Sequence, residues 1–162
     1  MSTPRTQPRI LVLGIGNTLL SDEGIGVHAM SRLQWECGDL PGVEFLDGGT
    51  LSFTLAAPIG NADCLIVIDA AELREEPGEV RLFVDGEMDR YLGNSPKRSV
   101  HEVGLLDLMA VACLTDSLPQ RRALIGIQPH SVAWGDEPSE PVAAALPAAC
   151  AMAQELIREW RG

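Results

Sequence analysis

"RILVLGIGNTLLSDEGIGVHAM", residues 9–30, joins an unbroken apolar run to a glycine-rich turn and then to a helical pattern. The run at 9–14 lacks the polar alternation of a strand with one wet face, so it reads as a strand covered on both sides. Beyond the turn, Ile25, Ala29 and Leu33 fall on one stripe of a helix over 23–36, with Met30 beside it. Similar runs return at "VEFLD" (43–47), "CLIVID" (64–69), "VRLFV" (80–84) and "ALIGIQ" (123–128). Helical spacing recurs at 100–113, through Leu105, Met109 and Ala112. It recurs again from Val142 to Trp160, through Leu146, Ala149, Ala153, Leu156 and Trp160, with Pro147 marking a kink or restart.

Strand alternating with helix predicts an α/β fold: three layers, a mostly parallel twisted sheet of about five strands with helices on both faces. One strand departs from the pattern. "RLFVDGEMD" follows the third strand after only "AAELREEPGE", too short a connection for a helical crossover, so it is expected at an edge and antiparallel. Residues 1–8 read as a flexible tail, 9–162 as one α/β domain, and 129–141 as a long loop within it.

The balance of 12 Lys plus Arg against 23 Asp plus Glu, net charge −11, argues against nucleic acid and anionic membrane as partners. Both need a basic surface, and the nearest thing to one is "PKRS" at 96–99. No window approaches the run of about 20 apolar residues that spans a bilayer. Arg5 and Arg9 precede an apolar stretch in the manner of a signal peptide, but there is no small-residue cleavage site, and Asn17, Asp22 and Glu23 interrupt it. Cys37, Cys64, Cys113 and Cys150 stand far apart without a C-x-x-C pair. They read as buried free thiols, Cys64 and Cys113 lying in apolar runs, and this favours the cytoplasm.

In open α/β sheets, ligands bind in the crevice beyond the carboxyl ends of the strands. The first strand ends at "GIGNTLLSDE", the second at "DGGT" (47–50), the third at Asp69 and the fifth at "GIQPHS" (126–131), so these loops should share one edge. "GIGN" is a poor dinucleotide fingerprint, because its third glycine would fall on Leu19. Its glycines and Asn17 suit a turn of positive φ or a close backbone approach. Asp22 and Glu23 would each complement a helix N-terminus, with Ser21 or Asp22 as N-cap, but one acid suffices for that. Asp69, ending an apolar strand, must find a hydrogen bond, a cation or a metal. Asp47, followed by "GGT", could cap a turn.

"SVHE" at 99–102 reads as a capping box, with Ser99 as N-cap and Glu102 reaching back, placing His101 in a first helical turn where the dipole favours neutral imidazole. Crowded carboxylates raise one another's pKa unless a cation intervenes. Glu23, Asp69 and His101 at one edge would hold zinc, nickel or a similar first-row ion. His28, expected on the solvated side of the first helix, and His130, in the long loop, are weaker candidates.

On "RILVLGIGNTLLSDEGIGVHAM", "VEFLDGGT", "DCLIVIDA", "SVHEVGLLDLM" and "LIGIQP", the chain resembles the hydrogenase maturation endopeptidases, which trim the C-terminus of the nickel-iron hydrogenase large subunit. The resemblance covers nearly the whole chain. It implies metal contacts at Glu23, Asp69 and His101, catalysis through Asp69 and Glu23, and substrate recognition by Asp47, Gly48, Gly49 and Thr50. It also implies an aspartic-type or metal-assisted peptide hydrolysis acting on the nickel-loaded large-subunit precursor. The nickel would be carried by the substrate, with zinc or another surrogate ion possible in the isolated protein, which is expected to be a monomer when free. The alternative from the same ligands is a nickel-sensing or carrier module that binds the precursor without cutting it. His28 stands where an arginine is often found, and the loop "GIQPHSVAWGDEPSEP" is particular to this chain.

Overall fold

The computed structural model describes residues 7–94 and 104–162. The chain runs β1 (Ile10–Ile15), α1 (Ile25–Cys37), β2 (Val43–Gly49), α2 (Ala56–Gly60), β3 (Cys64–Ala70), β4 (Val80–Val84), α3 (Gly86–Asn94), α4 (Leu105–Leu114), β5 (Arg121–Ile127), α5 (Glu140–Ala143) and α6 (Leu146–Arg161). Short 3-10 turns at Ser21–Gly24 and Phe53–Leu55 lead into α1 and α2.

The five strands lie in the order β2-β1-β3-β5-β4. Every pairing is parallel except that of β4 with β5, so the antiparallel strand is at the edge, as its short connection requires. All six residues of β1 are buried, and Leu65 to Ile68 in β3 are sealed from solvent. One face of the sheet packs Val12, Ile66 and Ile125 against α1 and α6; the other packs Leu13, Val67 and Leu124 with Ile59 of α2, Met88 of α3 and Leu108 of α4. Burying each such aliphatic side chain contributes about 1.5–3 kcal/mol, which is why the continuous apolar runs carry the fold.

Ile25, Ala29, Met30 and Leu33 are buried on α1, and Leu105, Met109 and Ala112 on α4. Pro147 sits in the first turn of α6, where its missing N–H costs nothing, so the C-terminal helical pattern restarts there after α5. Two local expectations, on the length of β4 and the burial of Cys113, are corrected. The strand drawn through "RLFVDGEMD" stops at Val84, because Asp85 takes a left-handed φ of 49° and Gly86 opens α3. α4 begins at Leu105 with Gly104 as its N-cap, while the start expected at residue 100 and the Ser99 cap lie outside the described residues. The Asp107 carboxylate accepts the Gly104 N–H at 2.9 Å, the backward half of a capping box. Cys113 is exposed on α4, whereas Cys64 and Cys150 are buried; burial raises the Cys150 thiol to about 11. Among the described residues no helix is long and apolar enough to cross a membrane.

Candidate active site

The connection from β1 crosses to β2 on one side, while β3 lies on the other, so the chain order reverses between β1 and β3. Such a reversal opens a crevice at the carboxyl ends of the two strands. The loop after β1 carries Glu23 and the end of β3 carries Asp69, one on each bank.

Two glycines press the banks together. Gly16 has φ 137°, and a Cβ there would lie 1.8 Å from the Glu23 carbonyl oxygen. A Cβ on Gly26 would lie 2.0 Å from the carbonyl of Ile68, the residue before Asp69. The turn holding Glu23 therefore rests directly on the strands, and the start of α1 touches the end of β3, an approach only glycine permits. Glu23 and Asp69 are both half-buried, and Asp69 Oδ1 is closed off from solvent.

The register sets the neighbours. Gly14 stands opposite Asp47 on β2 and Ile68 on β3, while Asp69 stands opposite Gly126 on β5. "DGGT" thus adjoins the first loop, and the Gly16 N–H donates to the Gly49 carbonyl at 2.8 Å. Asp47 Oδ1 accepts the Gly49 N–H at 2.8 Å, closing the turn anticipated for it, with Gly49 at φ 51°. Thr50 is exposed beyond it, and Gly48 and Gly49 are half-buried.

Asp22 has a role the sequence did not suggest. Neither it nor Ser21 caps a helix; the N-caps are Leu20 for the 3-10 turn and Gly24 for α1, neither with a side-chain cap bond. Asp22 is instead fully buried, its Oδ2 accepting the His130 and Ser131 N–H groups and the Ser139 hydroxyl, each at 2.8 Å. Oδ1 accepts the Ser139 N–H at 2.6 Å. Burial pushes the Asp22 pKa up, but the backbone donors of Ser131, Ser139 and His130 and the Ser139 hydroxyl outweigh it and hold the carboxyl below its ordinary value. The two adjacent acids therefore differ: Asp22 is sealed and fastens the 130–139 loop, whereas Glu23 is half-buried on the same turn.

Gln128 does similar work on the other side. Buried at the end of β5, its Oε1 accepts the Leu73 N–H at 2.7 Å, and its Nε2 donates to Glu72 at 3.2 Å. It ties down the loop that follows Asp69. Asp22 and Gln128 are the buried polar residues of the described core, and both anchor loops at this edge.

His101 lies outside the described residues, as do Ser99 and Glu102. Among the described residues no three histidine, cysteine, aspartate or glutamate side chains gather as a metal site. His28, expected on the solvated side of α1, is half-buried with its Nε2 closed off and making no hydrogen bond. His130 is exposed, and its contribution to the edge is its backbone N–H. The arrangement places two half-buried acids on neighbouring elements, Glu23 on the turn before α1 and Asp69 at the end of β3, held by close backbone contacts.

Comparison with known proteins shows the family. The family model described as HycI, hydrogenase maturation protease, matches residues 27–156. The hydrogenase expression/formation protein HoxM of Azotobacter vinelandii is 38% identical over 155 residues, which span 95% of this chain and 74% of that one. The hydrogenase maturating endopeptidase HybD from Escherichia coli superposes with a TM-score of 0.84 at 33% identity, over 93% of each chain. The NiFe hydrogenase maturation protease HybD from Thermococcus kodakarensis gives 0.76 at 30% identity, over 92% of this chain and 99% of that one.

Proposed function

This chain belongs to the hydrogenase maturation protease family, and from that footing we propose that it removes the C-terminal peptide of a nickel-loaded hydrogenase large-subunit precursor. The family makes it an endopeptidase, a hydrolase of peptide bonds. The observation that carries the finer reading is the glycine-enforced contact at the β1/β3 reversal, which brings the turn holding Glu23 onto the end of β3 at Asp69.

Glu23, Asp69 and His101 meet the nickel that the precursor carries. Two carboxylates and an imidazole suit a first-row ion, and the ion's charge lets both acids stay ionised side by side. His101 enters on its place in "SVHEVGLLDLM". Asp47 to Thr50 line the neighbouring loop and contact the precursor beside its metal.

With the chain so held, one of the two carboxylates accepts a proton from water as its oxygen attacks the scissile carbonyl carbon. The C–N bond then breaks, and the proton passes to the leaving amine. The carboxylates act on water without forming a covalent bond to substrate, which makes the step aspartic in type. Work in the cytoplasm fits the four free cysteines among the described residues.

The test is mass spectrometry of purified precursor, nickel-loaded and nickel-free, after incubation with the protein. Loss of a C-terminal peptide from the loaded form alone is expected. An intact loaded precursor, bound but uncut, would instead favour the carrier.

A further inference from the structure

Beside the two acids, the edge of the sheet presents an apolar surface on a fastened scaffold. Leu19 is 59% exposed, Val132 58% and Trp134 82%. Leu19 belongs to the loop after β1, four positions before Glu23, and the other two to the loop after β5. These loops are stitched together. The Gly135 N–H donates to the Leu19 carbonyl at 2.9 Å, and the Ser21 N–H to the Gly135 carbonyl at 2.8 Å. The Ser21 hydroxyl donates to the Ala133 carbonyl at 2.8 Å, and Leu20 and Gly135 form a parallel bridge. Below them the Asp22 carboxylate holds His130, Ser131 and Ser139.

A tryptophan left in water on a backbone so fully bonded gains nothing for the fold. Exposed apolar side chains grouped on a rigid platform, rimmed by charge, have the anatomy of a protein contact, and tryptophan is the residue most enriched where such contacts are strong. The rim here is acidic: Asp136, Glu137 and Glu140 are exposed on the same segment. The surface adjoins the acid along the chain, since the loop that carries Glu23 also carries Leu19 and is bonded to the segment carrying Val132 and Trp134.

We infer that Leu19, Val132 and Trp134 form the docking surface for the folded body of the precursor, receiving an apolar patch flanked by lysine or arginine. This rests on the proposed function and extends it, since it assigns recognition of the precursor body to a surface separate from the acids. Apolar contact supplies the affinity, and the acidic rim steers the approach.

The experiment compares Trp134→Ala, Val132→Ser and the control Trp35→Ala, a tryptophan 89% exposed on α1. Steady-state cleavage of nickel-loaded precursor is measured first. Trp134→Ala should raise KM about tenfold, with kcat within about twofold of wild type and the thermal midpoint unchanged, and Val132→Ser should act in the same direction. Trp35→Ala should change neither constant. An unchanged KM in Trp134→Ala, or a fall in kcat alone, overturns the inference.

Binding of the same precursor to Asp69→Asn, with and without Trp134→Ala, separates this inference from the proposed function. A tenfold loss of affinity on removing Trp134 supports docking even if no variant cuts, whereas equal affinities refute docking even if wild type cuts well. A wild-type dimer in sedimentation that Trp134→Ala dissolves would also refute it, by making a second copy the occupant.

Discussion

The two ends of the sheet use the same residue types for opposite purposes. At the amino end of β5, carboxylates are matched to arginines: Arg122 meets Asp89 with two bonds, at 2.9 and 2.5 Å, and Arg121 meets Asp85 at 3.2 Å. At the carboxyl end of β1, Asp22 is held by amide and hydroxyl donors alone. A guanidinium cancels the charge of its partner and adds little beyond local stability when exposed. Neutral donors keep the carboxylate charged while fastening a loop, and they bring no cation into the crevice beside Glu23. The difference teaches that an acid's job is set by what fills its hydrogen-bonding positions.

The sharpest way to break the comparison is at the crevice. Asp69→Asn and Glu23→Gln should each lower precursor cleavage about 10²–10⁴-fold, read by mass spectrometry of the released peptide, while leaving the urea midpoint near wild type. A variant that cuts normally would return these acids to the class of bystanders. Asp22→Ala should act the other way round. It strands three part-buried N–H groups and a hydroxyl, so unfolding in urea should show a loss of about 2–4 kcal/mol. Its cleavage should also fall, because the loops flanking Glu23 lose their tie.

Acid titration sharpens the same contrast. The folded-state pKa of Asp22 is lowered, so its stabilisation is fully present above the unfolded carboxyl value of about 3.9 and is lost as pH falls through the lower, folded value. Urea midpoints of wild type should therefore drop more steeply below about pH 4 than those of Asp22→Asn. The smallest effect is expected at the amino end. A double-mutant cycle on Arg122 and Asp89 should give a coupling of about 1 kcal/mol, with cleavage unchanged, since the Asp89 side chain is 45% exposed and the pair lies at the far end of the sheet.

Much of the architecture was legible along the chain. β1, β3 and β5 were found within two residues of their ends, because a strand buried on both faces writes its burial as a continuous apolar run. The edge position of β4 followed from the shortness of its connection. Start points were less legible. α4 begins at Leu105, capped by Gly104 with Asp107 reaching back, and the cap expected at "SVHE" lies outside the described residues. α3 went unseen because a left-handed Asp85 looks, in sequence, like the middle of a strand.

Within the candidate site, the sequence alone pointed to Asp69 and to the loops after β1 and β2, because these follow apolar runs and so sit at a sheet edge. The choice of Glu23 and of "DGGT" for recognition came from the resemblance to the family. Residue pattern alone could not separate Asp22 from Glu23. The partners that define Asp22 lie 108 to 117 residues away, and no local spacing announces them. Period and run length are properties of neighbours along the chain, so they survive in the sequence. Which of two adjacent acids is sealed beneath a loop and which keeps some exposure depends on contacts closed only when distant segments pack, and that the tertiary structure alone decided.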